Sequence, residues 1–177
     1  LAIVSMIPQS SPDYLPHRLL MFEAVLHTKA QRVVETGTDM GDSARIFATA
    51  LRRTGGVIST IDKKADLKLS WLQDYPNVIP IQGESLKVPW KDVIDLLYLD
   101  SDHTKENLLG ELRKFGPWVR PGGLILIHDT MHSQFGPALT DAVRTWCREM
   151  GLRWSEDPNP HGMAIIEMIR DLSPLRS

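Results

Sequence analysis

Two stretches place reactive side chains just where an apolar run stops. "LYLDSDHT" (97–104) carries Asp100, Asp102 and His103 at the end of a strand-like segment, and "LILIHDT" (124–130) ends in His128 and Asp129. Carboxylates and imidazoles gathered in this way can ligate a cation or move a proton. A buried strand has no structural need for them. Three more runs end in polar groups: "RVVE" (32–35) at Glu35, "VISTID" (57–62) at Asp62, and "NVIPIQG" (77–83) at Gly83, followed by Glu84 and Ser85.

The elements that must position these groups follow from hydrophobic periodicity. Apolar spacing predicts helices over 15–26 (Leu15, Leu19, Phe22, Leu26), 43–53, from Thr104 onward, and 137–151. Asp42 is placed to cap the second of these, and Gly55-Gly56 to stop it. Leu108, Leu112, Phe115 and Val119 form the stripe of the third. Pro121-Gly122-Gly123 ends that segment, and a fifth strand follows over 124–129. A helical patch is expected around Leu67–Leu72, an edge position for the strand containing Pro80, and late strands at 152–154 and 163–169. Strands that are near-continuous apolar runs, alternating with helices, predict an α/β fold. It is Rossmann-like and doubly wound, with a mainly parallel sheet, helices on both faces and a late antiparallel strand. The ligand crevice of such a sheet lies at the carboxyl ends of its strands, where all the groups above converge.

The first turn, "ETGTDMG" (35–41), has the spacing G-x-x-x-G and not the G-x-G-x-x-G of dinucleotide folds. Glu35 and Asp39 would repel a pyrophosphate there. They would attract a ligand with an ammonium end, and S-adenosylmethionine (SAM) carries one together with a sulfonium. Gly37 and Gly41 permit close backbone approach, and Asp62 could accept both ribose hydroxyls. A lone G-x-x-x-G is also compatible with a plain tight turn; Asp62 at the next strand end tips the balance to a ligand site.

"VVETGTDMGDSA", "STIDKK", "VIPIQGES" and "LYLDSDHTKENLLGELRKFGPWVRPGGLILIHDT" resemble the ordered motifs of class I SAM-dependent methyltransferases. The last block is most similar to the cephalosporin hydroxylase and rhamnosyl O-methyltransferase group of metal-dependent small-molecule enzymes. The resemblance covers about residues 30 to 145 and implies roles by position. Glu35, Gly37, Thr38, Gly41 and Ser43 fall at the methionine part of SAM, with Asp39 in the same loop. Asp62 falls at the ribose and Glu84 and Ser85 near the adenine, with Lys63 and Gly83 beside them also expected to bind the cofactor. Asp100 matches the strand-four acid that ligates a divalent metal in the more distant catechol-type enzymes, and it is also expected at the cofactor. His128-Asp129 matches the pair completing the metal site, with His128 in place of the usual first acid. Asp100, Asp102 and Asp129 are then hard oxygen ligands for magnesium or manganese. Asp102 and His103 are the candidate bases, since the resemblance places the base two or three residues after Asp100.

The acceptor is expected beside this rim, against His128, Met131, His132 and Phe135, under a cover formed mainly by 130–137, with the loop 8–16 as the second candidate. Structural roles stand beside these. Asp102 or His103 could cap the following helix, and Asp129 could be a turn acid. His17, His27, His132 and His161 read as surface or core, Trp118 and Phe115 as core, Cys147 as a small buried residue, and Lys63-Lys64 as solvated surface.

Composition bounds the class. With 177 residues, 42% hydrophobic, 24% charged and a net charge of −2, the chain reads as one globular domain over 1–177, with residues 1–30 as an N-terminal helical and lid segment. The absence of a basic block disfavours nucleic acid, and no apolar run is of membrane-spanning length. "LAIVSMI" lacks the flank of a signal peptide, and the single cysteine fits a reducing, cytoplasmic compartment. The expected activity is metal-assisted O-methylation of a small hydroxylated molecule, a sugar or natural product. The alternative is a SAM- or nucleoside-binding module of the same fold without transfer. An NAD-linked oxidoreductase is disfavoured by the loop, and association into a homo-oligomer is open.

Overall fold

The computed structural model describes residues 17–64, 70–158 and 161–175. Seven strands form one sheet: β1 (Arg32–Thr36), β2 (Val57–Asp62), β3 (Val78–Gln82), β4 (Ile94–Leu99), β5 (Val119–His128), β6 (Trp154–Asp157) and β7 (Met163–Glu167). Their order is β3-β2-β1-β4-β5-β7-β6. The pairings from β3 through to β5 are parallel, and β7 runs antiparallel to both neighbours. The doubly wound architecture and its late antiparallel strand are as the alternation of elements predicts.

Strand β4 shows why its sequence reads as a continuous apolar run. Leu97 and Leu99 point into one layer, with Leu108, Leu112 and Phe115 of α3 (Lys105–Phe115) and Leu139, Val143 and Trp146 of α4 (Gly136–Met150). Leu96 and Tyr98 point into the other layer, with Met21, Phe22 and Val25 of α1 (Arg18–Thr28) and Ile46, Phe47 and Leu51 of α2 (Asp42–Thr54). Both faces of the strand are covered, so alternation of polar and apolar residues disappears.

Several boundaries differ from the sequence expectation, each for a local reason. Gly41, not Asp42, is the N-cap of α2, with φ 79°, while Asp42 sits in the first turn and pairs with Arg45. Helix α1 buries Met21, Phe22 and Val25 and leaves Leu19 exposed, because an unbroken "LLMF" offers more than one apolar stripe. Strand β5 begins at Val119, ahead of Pro121-Gly122-Gly123; the extra residues are absorbed by a register shift opposite Ile94–Leu96. Strand β6 begins at Trp154 because the Leu152 N–H is spent on the Cys147 carbonyl, closing α4. A 3-10 turn occupies Ser70–Asp74; the rest of the patch expected at 67–72 lies outside the described residues, as does the loop 8–16. Thr104 caps α3 through its hydroxyl, which accepts from the Asn107 N–H, and β3 is an edge strand despite its ladder through Pro80. Among the described residues no helix is long and apolar enough to cross a membrane.

Candidate active site

A cleft of about 760 Å³ opens along the carboxyl ends of the parallel strands. One half is built on β1 and β2. Gly37 has φ +89°, and a Cβ placed there would lie 1.9 Å from the Asp100 carbonyl oxygen. Only glycine lets the β1 turn come this close to the end of β4. The turn is pinned further by the Gly37 N–H donating to the Ile61 carbonyl at 2.8 Å. Asp62 is oriented by two backbone donors: the Asp39 N–H at 3.0 Å to one oxygen and the Lys64 N–H at 2.8 Å to the other. Each carboxylate oxygen keeps acceptor capacity for a vicinal diol. Gly37, Thr38, Asp39, Asp62, Lys63, Gly83, Glu84, Ser85 and Asp100, all expected at the cofactor, line this cleft.

Three expected cofactor residues stand behind its wall instead. Glu35 is fully buried and accepts from the hydroxyls of Ser43 and Thr60, and Thr60 bonds in turn to Thr38 at 2.6 Å. Burial pushes the Glu35 carboxyl up to about 8, against the lowering effect of the Ser43 and Thr60 hydroxyls. It is therefore neutral at pH 7, and Asp39 pairs with Lys64. The repulsion of phosphate expected from Glu35 and Asp39 together does not hold in this geometry. Gly41 is packed beneath Trp71, whose ring would be 2.0 Å from a Cβ at that position. Glu35 and Ser43 organise the loop from within, and Gly41 lets Trp71 clamp it.

The other half of the cleft is the rim formed by β4 and β5. Asp100, His103 and Asp129 each turn a ligand atom to a common point, all within 4.8 Å of one another. His103 Nε2 lies 2.8 Å from Asp129 Oδ2 and 3.6 Å from Asp100 Oδ1. On the far side His128 Nδ1 lies 3.2 Å from Asp129 Oδ1 and 3.7 Å from Asp100 Oδ2, and His161 Nδ1 lies 3.6 Å from Asp129 Oδ1. The Tyr98 hydroxyl donates to Asp100 Oδ2 at 3.1 Å. Asp129 adopts a left-handed φ of 61°, which aspartate tolerates better than most residues, and its carboxylate faces His103. Asp100 and Asp129 raise the His103 imidazole to about 10, overcoming its burial. Burial works against a charge on His128, but Asp129 and Asp100 outweigh it and raise its pKa as well. Burial would raise Asp129; His103 and His128 hold it well below the usual carboxylate range.

Asp102, expected as a metal ligand, lines the cleft but stands outside this group: its carboxylate accepts from the Thr104 N–H at 3.1 Å at the entry to α3. The donor set brought together is two carboxylates and one imidazole, a composition able to hold a divalent cation. Of the expected acceptor residues, His128 and His132 line the cleft. Phe135 instead stacks between two imidazoles, 4.7 Å from His103 and 4.4 Å from His132, and His132 stacks on His161 at 5.1 Å. Met131 is 54% exposed and packs against Gly162. Ser101 and Asn107 line the cleft without having been singled out by sequence, and so does His161, which reads only as surface or core. His17, buried edge-on against His128 at 5.2 Å, was read only as surface or core. His161 lies in an unpatterned turn and reaches the site only through the β5–β7 pairing, so no local signal marks it.

Residues 34–130, more than half of the chain, match the profile of a methyltransferase domain. Among solved structures, the fold is similar to a Staphylococcus aureus protein assigned to the caffeoyl-CoA O-methyltransferases (17% identity over 94% of this chain and 88% of that one, TM-score 0.73). It is also similar to the S-adenosylhomocysteine-bound methyltransferase PaMTH1 of Podospora anserina (16%, 95% and 82%, TM-score 0.71). A third is CalS11, a TDP-rhamnose 3'-O-methyltransferase of calicheamicin biosynthesis (13%, 86% and 79%, TM-score 0.70). The glycine turn, the cleft-lining Asp62 at the end of β2 and the profile match agree: the chain belongs to the methyltransferase-domain family and is a class I SAM-dependent methyltransferase.

Proposed function

We propose that the protein transfers a methyl group to a hydroxyl oxygen of a small, polar, hydroxylated molecule, with a divalent cation at the rim. One observation carries this reading: a single cleft runs unbroken from the glycine turn and Asp62 to the Asp100–His103–Asp129 group. Its volume is in the range of small-molecule sites, about 300–1,000 Å³. Beside the rim the cleft is lined by His128, His132 and His161, side chains that can hydrogen-bond hydroxyls. That chemistry suits a sugar or a polyhydroxylated natural product, in keeping with the sugar nucleotide named for CalS11. A net charge of −2 does not favour a nucleic-acid acceptor.

SAM, when bound, supplies an electrophilic methyl group on a positive sulfur. The chain's own residues do the rest. Asp62 holds the ribose, and Gly37 brings the backbone of the turn against the cofactor. Asp100, His103 and Asp129 would hold the cation, whose contribution is to lower the pKa of an acceptor hydroxyl. His103 between the two carboxylates alone is an imidazolium, able to donate a hydrogen bond but not to take a proton. Positive charge placed on Asp100 and Asp129 removes that constraint. Asp102, just outside the group and lining the cleft, would receive the acceptor proton as the oxygen–carbon bond forms and the sulfur–carbon bond breaks. The test is release of S-adenosylhomocysteine from SAM across a panel of sugars and phenols, before and after chelation. Turnover that chelation abolishes and a divalent ion restores is expected. SAM binding with no turnover on any acceptor would favour a binding module of the same fold.

A further inference from the structure

We propose that the rim of this protein selects a first-row transition-metal dication, of the manganese-to-zinc series, over magnesium, and that His103 is the ligand that does so. This rests on reading the rim as a cation site and goes further by assigning the class of ion. Sequence alone points to three carboxylates and hence a hard-oxygen site. The geometry replaces Asp102 by an imidazole nitrogen: His103 Nε2 faces Asp129 Oδ2 at 2.8 Å and Asp100 Oδ1 at 3.6 Å. Two ligands about 2.0–2.2 Å from one ion at a tetrahedral or octahedral angle stand roughly 3.0–3.5 Å apart, so these separations bracket a common coordination sphere. The nitrogen is held in place for this. The His103 ring is stacked on Phe135, which is stacked on His132, which is stacked on His161. The carboxylates are held as well. Asp100 Oδ2 accepts from the Tyr98 hydroxyl, and Asp129 Oδ1 is flanked by the Nδ1 atoms of His128 and His161, leaving Asp100 Oδ1 and Asp129 Oδ2 turned to His103. Partners of this kind around ligating groups orient them and tune affinity. Magnesium takes oxygen ligands and keeps much of its water, whereas imidazole suits iron, cobalt, nickel, copper and zinc, with manganese the weakest of the series.

The experiment uses the full chain stripped of metal, titrated by calorimetry with zinc, cobalt and magnesium salts, with the manganese-loaded protein read for nitrogen hyperfine coupling. One equivalent of cobalt or zinc should bind at least 100-fold more tightly than magnesium, and manganese should show imidazole nitrogen coupling. In His103→Asp, checked for folding by circular dichroism, cobalt and zinc affinity should fall at least 10-fold, magnesium affinity should hold or rise, and the nitrogen coupling should vanish. If His103→Asp does not fold, His103→Asn is read in its place for loss of the coupling and of zinc affinity. Coupling that persists without His103, magnesium binding as tight as zinc, or no stoichiometric ion at all would overturn the inference. Methyl transfer is assayed on the same samples. Turnover supported by magnesium alone would keep the methyltransferase reading and remove this one; selective binding without turnover would do the reverse.

Discussion

Two acidic residues on neighbouring strands, Glu35 and Asp62, illustrate how burial decides role. Both end short apolar runs in the sequence, yet one faces the cleft with its carboxylate aligned by two N–H donors and the other is sealed behind the loop as a neutral acid. Their substitutions should therefore separate. Asp62→Ala removes charge-assisted hydrogen bonds worth roughly 1.5–3 kcal/mol each, so the dissociation constant for SAM should rise by about one to two orders of magnitude in calorimetry. Glu35→Gln keeps a neutral acceptor among Ser43, Thr60 and Thr38, and SAM affinity at pH 7 should stay within a few-fold. An Asp62 variant that binds normally would displace the ribose from that position. The sequence could not tell these acids apart because β1 is buried on both faces, and no alternation shows which way a side chain points.

The β4 and β5 ends and the turn into α4 act as one unit around His103. Phe135 was expected to contact the acceptor; its position between His103 and His132 makes it a positioning residue for the rim. Phe135→Leu should loosen His103 and lower turnover at saturating acceptor about tenfold or more, with SAM affinity unchanged. Met131→Ala should do much less, since Met131 is exposed and lies on the Gly162 turn. Equal effects from the two would mean that the turn recognises the acceptor directly. At this scale the strand ends were legible, because apolar runs that stop at Asp62, Asp100 and His128-Asp129 announce a shared rim. The aromatic column was not. It needs His161, brought in by an antiparallel strand some thirty residues after β5, and no spacing rule links it to His103.

Across the whole molecule the buried titratable groups set opposing pH trends, and their signs can be worked out. His17, lowered to about 4 by burial and by His128, is neutral in the folded protein, so its contribution is present above about 6.5 and lost as pH falls toward 4. Glu35, raised to about 8 from 4.5, binds its proton more tightly in the fold, so its contribution is present at low pH and lost as pH rises through 8. His103, raised to about 10 from 6.5 by Asp100 and Asp129, acts in the same direction as Glu35 but over a higher window. Between pH 4.5 and 6.5 the His17 slope opposes that of Glu35, and the carboxyls of Glu111 and Glu156, raised by burial, act in the same direction as Glu35, so stability should not rise with pH. Above pH 6.5 Glu35 and His103 act together, and the metal-free protein should lose stability toward alkaline pH, by up to roughly 1.4 kcal/mol per pH unit for each group while it titrates. Urea denaturation at unit steps from pH 5 to 10 measures this. Glu35→Gln should flatten the curve between 6.5 and 8, and His103→Asn should flatten it between 6.5 and 10. A stoichiometric divalent ion should remove the His103 part, because charge on Asp100 and Asp129 releases the imidazole from its proton. A metal-free protein whose stability rises steadily from pH 6.5 to 10 would show that neither Glu35 nor His103 is held in the protonated state that this geometry dictates.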